Sequence, residues 1–234
     1  MADNGYGQFC PIAKAMEILG EKWTLLIVRE LLMGGTRFSE LQKGLSQISP
    51  TLLTKRLATL EEENLVIRRK IPGQRGYEYF PTESCQELME VLENIGTWGM
   101  RWARHKMTDD DFDLELLMVY LQRSVNPDKL PGRETIIRFN FNDVEDYATW
   151  WLLVTGEEVD VCVHDPGREV DIYFNVDLRT MCEVWMGDVS YKQASSDGKL
   201  NVVGPSALTR NVSSWLEPSI FADIPPANAI LNTA

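Results

Sequence analysis

The chain has 234 residues, 44% of them hydrophobic and 25% charged, which fits folded domains with full cores and excludes a disordered or low-complexity protein. Its formal net charge of -12 is unevenly divided: residues 1–107 hold 14 Lys and Arg against 13 Asp and Glu, and residues 108–234 hold 9 against 22. The asymmetry predicts two domains with separate work, 1–107 and 108–234, the acidic one ill-suited to a phosphate backbone.

No apolar run of about 18 residues predicts a membrane span. No basic segment precedes an apolar one at the start, so a cytoplasmic location is expected. The four cysteines (Cys10, Cys85, Cys162, Cys182) are scattered and lack the short paired spacing of zinc ligands, so free thiols and no metal or cofactor are expected.

The first half reads as helices. Residues 12–19 form a short apolar-periodic run ended by Gly20, and residues 22–33 (KWTLLIVRELLM) form a mostly apolar central helix stopped by Gly34-Gly35. Thr36 offers an N-cap to the next helix, which Gly44 closes. Ser49 then caps a helix with Pro50 in its first turn, where the missing N–H costs nothing. Leu53, Leu57 and Leu60 are its buried stripe, and Thr51, Thr54 and Lys55 face the other way.

A hairpin follows. Residues 66–71 and 77–80 are its strands, and Pro72, Gly73 and Gly76 supply the turn chemistry. Thr82 opens a long helix to about residue 106, on which Leu88, Leu92, Ile95 and Trp102 keep the spacing of a helix–helix seam. A second copy of the chain is the expected partner.

Beyond the acidic stretch at 108–113, residues 114–123 form a helix, and the pattern then changes to period two. TIIRFNF, ATWWLLVT, VDVCVH and EVDIYFNV read as strands, followed by a helix over 178–186, a further strand KLNVVG and a closing helical segment. This half is an α+β domain with an antiparallel sheet.

Three helices and a hairpin make a winged helix-turn-helix. A recognition helix offers its first turns to base edges while the hairpin reaches the flanking backbone or minor groove. Ser49, Pro50, Thr51, Thr54 and Lys55 are the candidate groove residues, Arg56 suits a phosphate on the flank, and Arg75 at the hairpin tip suits the minor groove. The alternative is a lipid-carrier-like protein whose winged helix serves dimerisation or protein contact. Catalysis has no foothold: two histidines, one in the turn sequence His164-Asp165-Pro166-Gly167, and no G-x-S-x-G, H-E-x-x-H or P-loop motif.

The motifs also carry two resemblances. Cys10-Pro11, Gly20-x-Lys22-Trp23-Thr24, Arg37-Phe38-x-x-Leu41, Ile48-Ser49, Leu53-Thr54-x-x-Leu57, Leu60-Glu61 and Tyr77-x-Tyr79 run in the order of the HxlR family of winged-helix transcriptional regulators, which the first half resembles. The resemblance implies double-stranded DNA with an inverted-repeat operator as partner, a homodimer, and a redox-sensing role for Cys10 in some members. Asn64 stands where that family has glycine, and it too tolerates a left-handed backbone.

In the second half, a helix leading to Trp185-x-Gly187, then Ala194, Gly198-Lys199-Leu200 and Gly204, resembles the SCP2 sterol-carrier type. That resemblance implies an apolar tunnel for a lipid-like or aromatic small molecule, with Trp151 and Trp185 as candidate walls.

Overall fold

A computed structural model describes residues 5–227. The chain forms two compact units, residues 1–96 and 97–234.

The first unit opens with α1 (Pro11–Leu19), α2 (Thr24–Leu32), α3 (Phe38–Lys43) and α4 (Pro50–Glu62). β1 (Val66–Lys70) and β2 (Tyr77–Pro81) then pair antiparallel, with Arg68 opposite Tyr79. Ile27, Val28, Leu31, Leu41, Leu45, Ile48, Leu53, Leu57 and Leu60 make its core, so the stripe expected on α4 is the buried one.

Local chemistry explains the boundaries. The Leu52 amide donates to Ser49 Oγ at 3.3 Å, and Pro50 occupies the first turn of α4. Asn64 adopts φ 57°, and the Leu65 amide bonds Leu60 O at 2.9 Å to close that helix. The cap of α3 differs from expectation. The Glu40 carboxylate, rather than the Thr36 hydroxyl, accepts the amides of Thr36 and Arg37 at 2.9 Å each. A carboxylate satisfies two orphan N–H groups where one hydroxyl satisfies one.

The long helix predicted from Thr82 is interrupted. α5 (Glu83–Gln86) is capped by Thr82, and α6 (Leu88–Trp102) follows after a break at Glu87. The Glu87 amide still bonds Glu83 O at 3.1 Å, so one i→i−4 bond bridges the break. A 3₁₀ turn, Arg104–Lys106, ends the helical run.

The second unit contains α7 (Leu114–Ser124), whose first turn Asp113 caps through the Leu116 amide. Then come β3 (Glu134–Phe141), β4 (Thr149–Thr155), β5 (Glu158–Cys162), β6 (Ile172–Val176), α8 (Leu178–Met186), α9 (Tyr191–Ser196), β7 (Leu200–Val203), α10 (Ser206–Thr209) and α11 (Val212–Trp215). The sheet order is β5-β4-β3-β6-β7. β3 and β6 are parallel and the other pairs antiparallel, a departure from the all-antiparallel expectation. After β5 at the edge, the chain crosses to the far side of β3 and re-enters in the direction of β3. Alternation then sorts the faces: Ile137, Phe139, Trp150, Leu152, Ile172 and Phe174 join the core with Leu117, Met118, Leu121 and Trp215.

Candidate nucleic-acid interface

The reading head is α4. Its buried leucines leave Ser49, Pro50, Thr51, Thr54 and Lys55 exposed on the opposite side. Thr54 Oγ1 donates to Pro50 O at 2.9 Å, which fixes its rotamer and leaves lone pairs outward. The Lys55 ammonium makes no ion pair among the described residues. Neither does the Arg75 guanidinium, at the exposed wing tip between Gly73 (φ 71°) and Gly76 (φ 116°).

Arg56 is placed differently from its neighbours. Its guanidinium pairs with Glu21, and its Nε donates to Lys22 O at 3.2 Å, with the side chain only 11% exposed. It therefore clamps α4 to the α1–α2 turn, where Trp23 holds φ 80°, a conformation costly for a bulky residue. A phosphate would have to compete with that carboxylate.

A second clamp sits beneath the turn between α3 and α4. Glu30, fully buried, receives Arg29 Nε at 2.9 Å, and Arg29 also donates to Gly44 O at 3.0 Å. A Cβ on Gly44 would lie 1.9 Å from Glu30 Oε2, so this carboxylate fits only against glycine.

Sequence reading missed part of the wing. Arg68 lies 4.4 Å from the Tyr77 ring centroid and 3.3 Å from a Glu61 oxygen, and Arg69 lies 5.0 Å from the Phe80 centroid. Both are exposed, with Lys70, along β1. The run Arg68-Arg69-Lys70 is the signal that points to them.

The seam on α6 is also redistributed. Leu88 and Leu92 pack on the core of the first unit. Val91, Ile95, Trp98 and Trp102 are exposed instead, at i, i+4, i+7 and i+11, with Trp98 61% exposed. Ile95 and Trp102 thus keep their assignment, whereas Leu88 and Leu92 serve their own chain. Phe9 and Ile12, at the start of α1, are exposed as well.

This constellation of a capped recognition helix with open polar residues, a clamped turn and a basic wing matches a family model. Residues 18–107 match the HxlR-like helix-turn-helix. The YvaP regulator of Bacillus subtilis (strain 168), described as an uncharacterized HTH-type transcriptional regulator, is 38% identical over 104 residues, 44% of this chain and 96% of the relative. The chain belongs to the HxlR-like helix-turn-helix family. It is a DNA-binding transcriptional regulator.

An HTH-type regulator of Mycobacterium tuberculosis (strain ATCC 25618 / H37Rv) is 30% identical over 137 residues, 52% of this chain and 86% of the relative. Among solved structures, the reduced form of the regulator YodB from Bacillus subtilis is 31% identical, covering 39% of this chain and 92% of that one, with a TM-score of 0.35. Residues 119–217 match the SCP-2 sterol transfer family, so this regulator carries an SCP2-type α+β domain.

In that domain the structure does not bring the two candidate tryptophans together. Trp151 is buried on the sheet face opposite the core, 5.7 Å from the Arg138 guanidinium carbon. Trp185 on α8 stacks on Tyr120 with centroids 4.6 Å apart and donates Nε1 to Ser124 Oγ at 2.8 Å. A cavity of about 760 Å³ lies elsewhere, lined by Val184, Tyr191, Val202 and Val212 with Lys192 and Arg210. Burial pushes the Tyr191 phenol far above its usual range, so it is a neutral donor there.

The cysteines are all free. Burial raises Cys85 to about 11 and Cys182 to about 12, which suppresses their thiolates. Cys10 is half-buried at the N-cap of α1, and Lys14 pairs with Glu17 at 2.9 Å. Among the described residues no group of His, Cys, Asp and Glu is arranged to hold a metal, and no helix is long and apolar enough to cross a membrane.

Proposed function

We propose that this regulator acts as a homodimer on an inverted-repeat operator. The division of labour falls at residues 107 and 108, with a reading and pairing half followed by an acidic sensory or assembly half. The observation that carries the reading is the contrast on α4: Lys55 and the hydroxyls of Ser49, Thr51 and Thr54 are outward and open, while Arg56 is occupied by Glu21. Ser49, Pro50, Thr51, Thr54 and Lys55 address the major groove, Arg75 with Arg68 to Lys70 addresses the flanking backbone or minor groove, and Arg56 positions the helix.

Pairing uses the exposed stripe Val91, Ile95, Trp98 and Trp102. Four large side chains on one helix face form an apolar patch that a monomer has no reason to expose. Two-fold pairing sets the two reading heads about 34 Å apart, one turn of DNA, and dictates a palindromic site. The SCP2-type domain performs no reaction in this reading. It takes up a lipid-like molecule in the 760 Å³ cavity and shifts operator affinity by the difference in ligand binding between two arrangements.

Selection of bound fragments from the source genome, followed by gel shift across a salt series, tests the reading. A palindromic consensus bound with steep salt dependence is expected. Absence of any enriched sequence would favour the protein-contact alternative.

A further inference from the structure

Wholly within the second unit, a cleft of about 460 Å³ lies where the end of α6 and the following turn meet α8. Arg101, Trp102, Arg104 and Arg179 are among its walls. A smaller hollow of about 340 Å³, lined by Tyr120 and Trp185, shares Met107, Phe112 and Met186 with it.

The charges in the cleft do not cancel. Arg104 pairs with Asp188, and Arg179 pairs with Glu183 at 2.9 Å and with Asp109. That leaves Arg101. Its Nε is buried and has no hydrogen-bond partner among the described residues, and no carboxylate pairs with the guanidinium. A buried donor left unmade is costly, and an arginine fork is best matched by a carboxylate. The surrounding walls are flat and soft. Trp102 and Phe112 supply rings, Met107 and Met186 supply thioethers that contact rings favourably, and the Arg179 guanidinium lies 5.4 Å from the Phe112 centroid.

We propose that this cleft binds a small aromatic carboxylate, with its head on Arg101 and its ring among Trp102, Phe112 and Met186. The cleft falls within the size range of small-molecule pockets. It is distinct from the 760 Å³ cavity, and none of its lining residues lines that cavity. Trp102 belongs to both the cleft and the exposed stripe on α6, so occupancy bears on the face assigned to pairing. The site does not depend on the DNA reading.

Isothermal titration of the full-length protein without DNA decides, using 2-naphthoate, the neutral 2-naphthalenemethanol and the aliphatic octanoate. Saturable binding of 2-naphthoate is expected, with the alcohol and octanoate each about tenfold weaker or more. Arg101→Met should weaken 2-naphthoate by about tenfold, and Arg210→Met, in the other cavity, should leave it unchanged. The proposal is overturned by absence of saturable 2-naphthoate binding, by equal binding of the alcohol, or by octanoate binding tighter. Sensitivity to Arg210→Met instead of Arg101→Met also overturns it. If Arg101→Met does not fold, the comparison of acid with alcohol on the unaltered protein still decides.

Discussion

Adjacent cations on α4 do different work because their neighbours differ. Lys55 points into open solvent, whereas Arg56 is held by Glu21 and Lys22 O against a turn containing a left-handed tryptophan. Lys55→Ala should therefore weaken operator binding and lower the slope of log K against log salt by about 0.9, one phosphate contact, with unchanged urea stability. Arg56→Ala should instead cost roughly 1 kcal/mol of stability, a modest figure because Glu21 is largely exposed. Equilibrium unfolding paired with anisotropy titrations separates the two.

Gly44 gives a sharper case. Gly44→Ala places a methyl group on the Glu30 carboxylate and should cost about 1–3 kcal/mol by overpacking, read as a lower urea midpoint. The Glu40 cap adds a pH dependence. Burial opposes its ionisation, but the amides of Arg37 and Thr36 outweigh that and lower its pKa below 4.5. A depressed carboxylate contributes stability above its unfolded pKa and loses it as pH falls through the folded value. Glu40→Gln should therefore flatten the acid limb of the stability profile below about pH 4.5.

At the level of elements, one helix carries two apolar stripes with different destinations. Leu88 and Leu92 face the chain's own core, and Val91, Ile95, Trp98 and Trp102 face outward. Leu92→Ala should cost about 2 kcal/mol of stability, the low end for a leucine because the side chain is only partly buried. Ile95→Asp should leave the fold intact and turn dimer into monomer in sedimentation at low micromolar concentration. A dimer that persists would remove the seam.

This is also where sequence was legible and where it was not. The α4 leucine stripe, the Ser49 cap, the left-handed Asn64 and the wing glycines are local signals, and the structure contains them as read. Periodicity on α6 reveals apolar faces but not which face meets its own core, because that depends on residues up to 60 positions earlier. The Arg56–Glu21 pair spans 35 positions and leaves no local trace. The parallel β3–β6 pairing is likewise a property of the crossover, since both strands alternate as antiparallel ones do. Trp151 and Trp185 share a residue type, and type says nothing about which side of a sheet each occupies.

For the whole molecule, charge is the organising fact. The winged-helix half is near neutral overall yet concentrates Lys55, Arg68, Arg69, Lys70 and Arg75 on exposed positions, and the SCP2-type half holds 22 of the 35 acidic residues. Recognition should therefore be salt-sensitive despite a net charge of -12, because counterion release depends on the phosphates neutralised locally and not on the total. Anisotropy titration of a selected palindromic duplex across a salt series, with the unaltered protein and with Lys55→Ala and Arg75→Ala, tests this most directly. Two chains per duplex are expected. Each variant should bind more weakly, with a salt slope lowered by about one counterion for every phosphate that either chain no longer neutralises. Unchanged affinity and slope in both variants, with the fold intact, would contradict it.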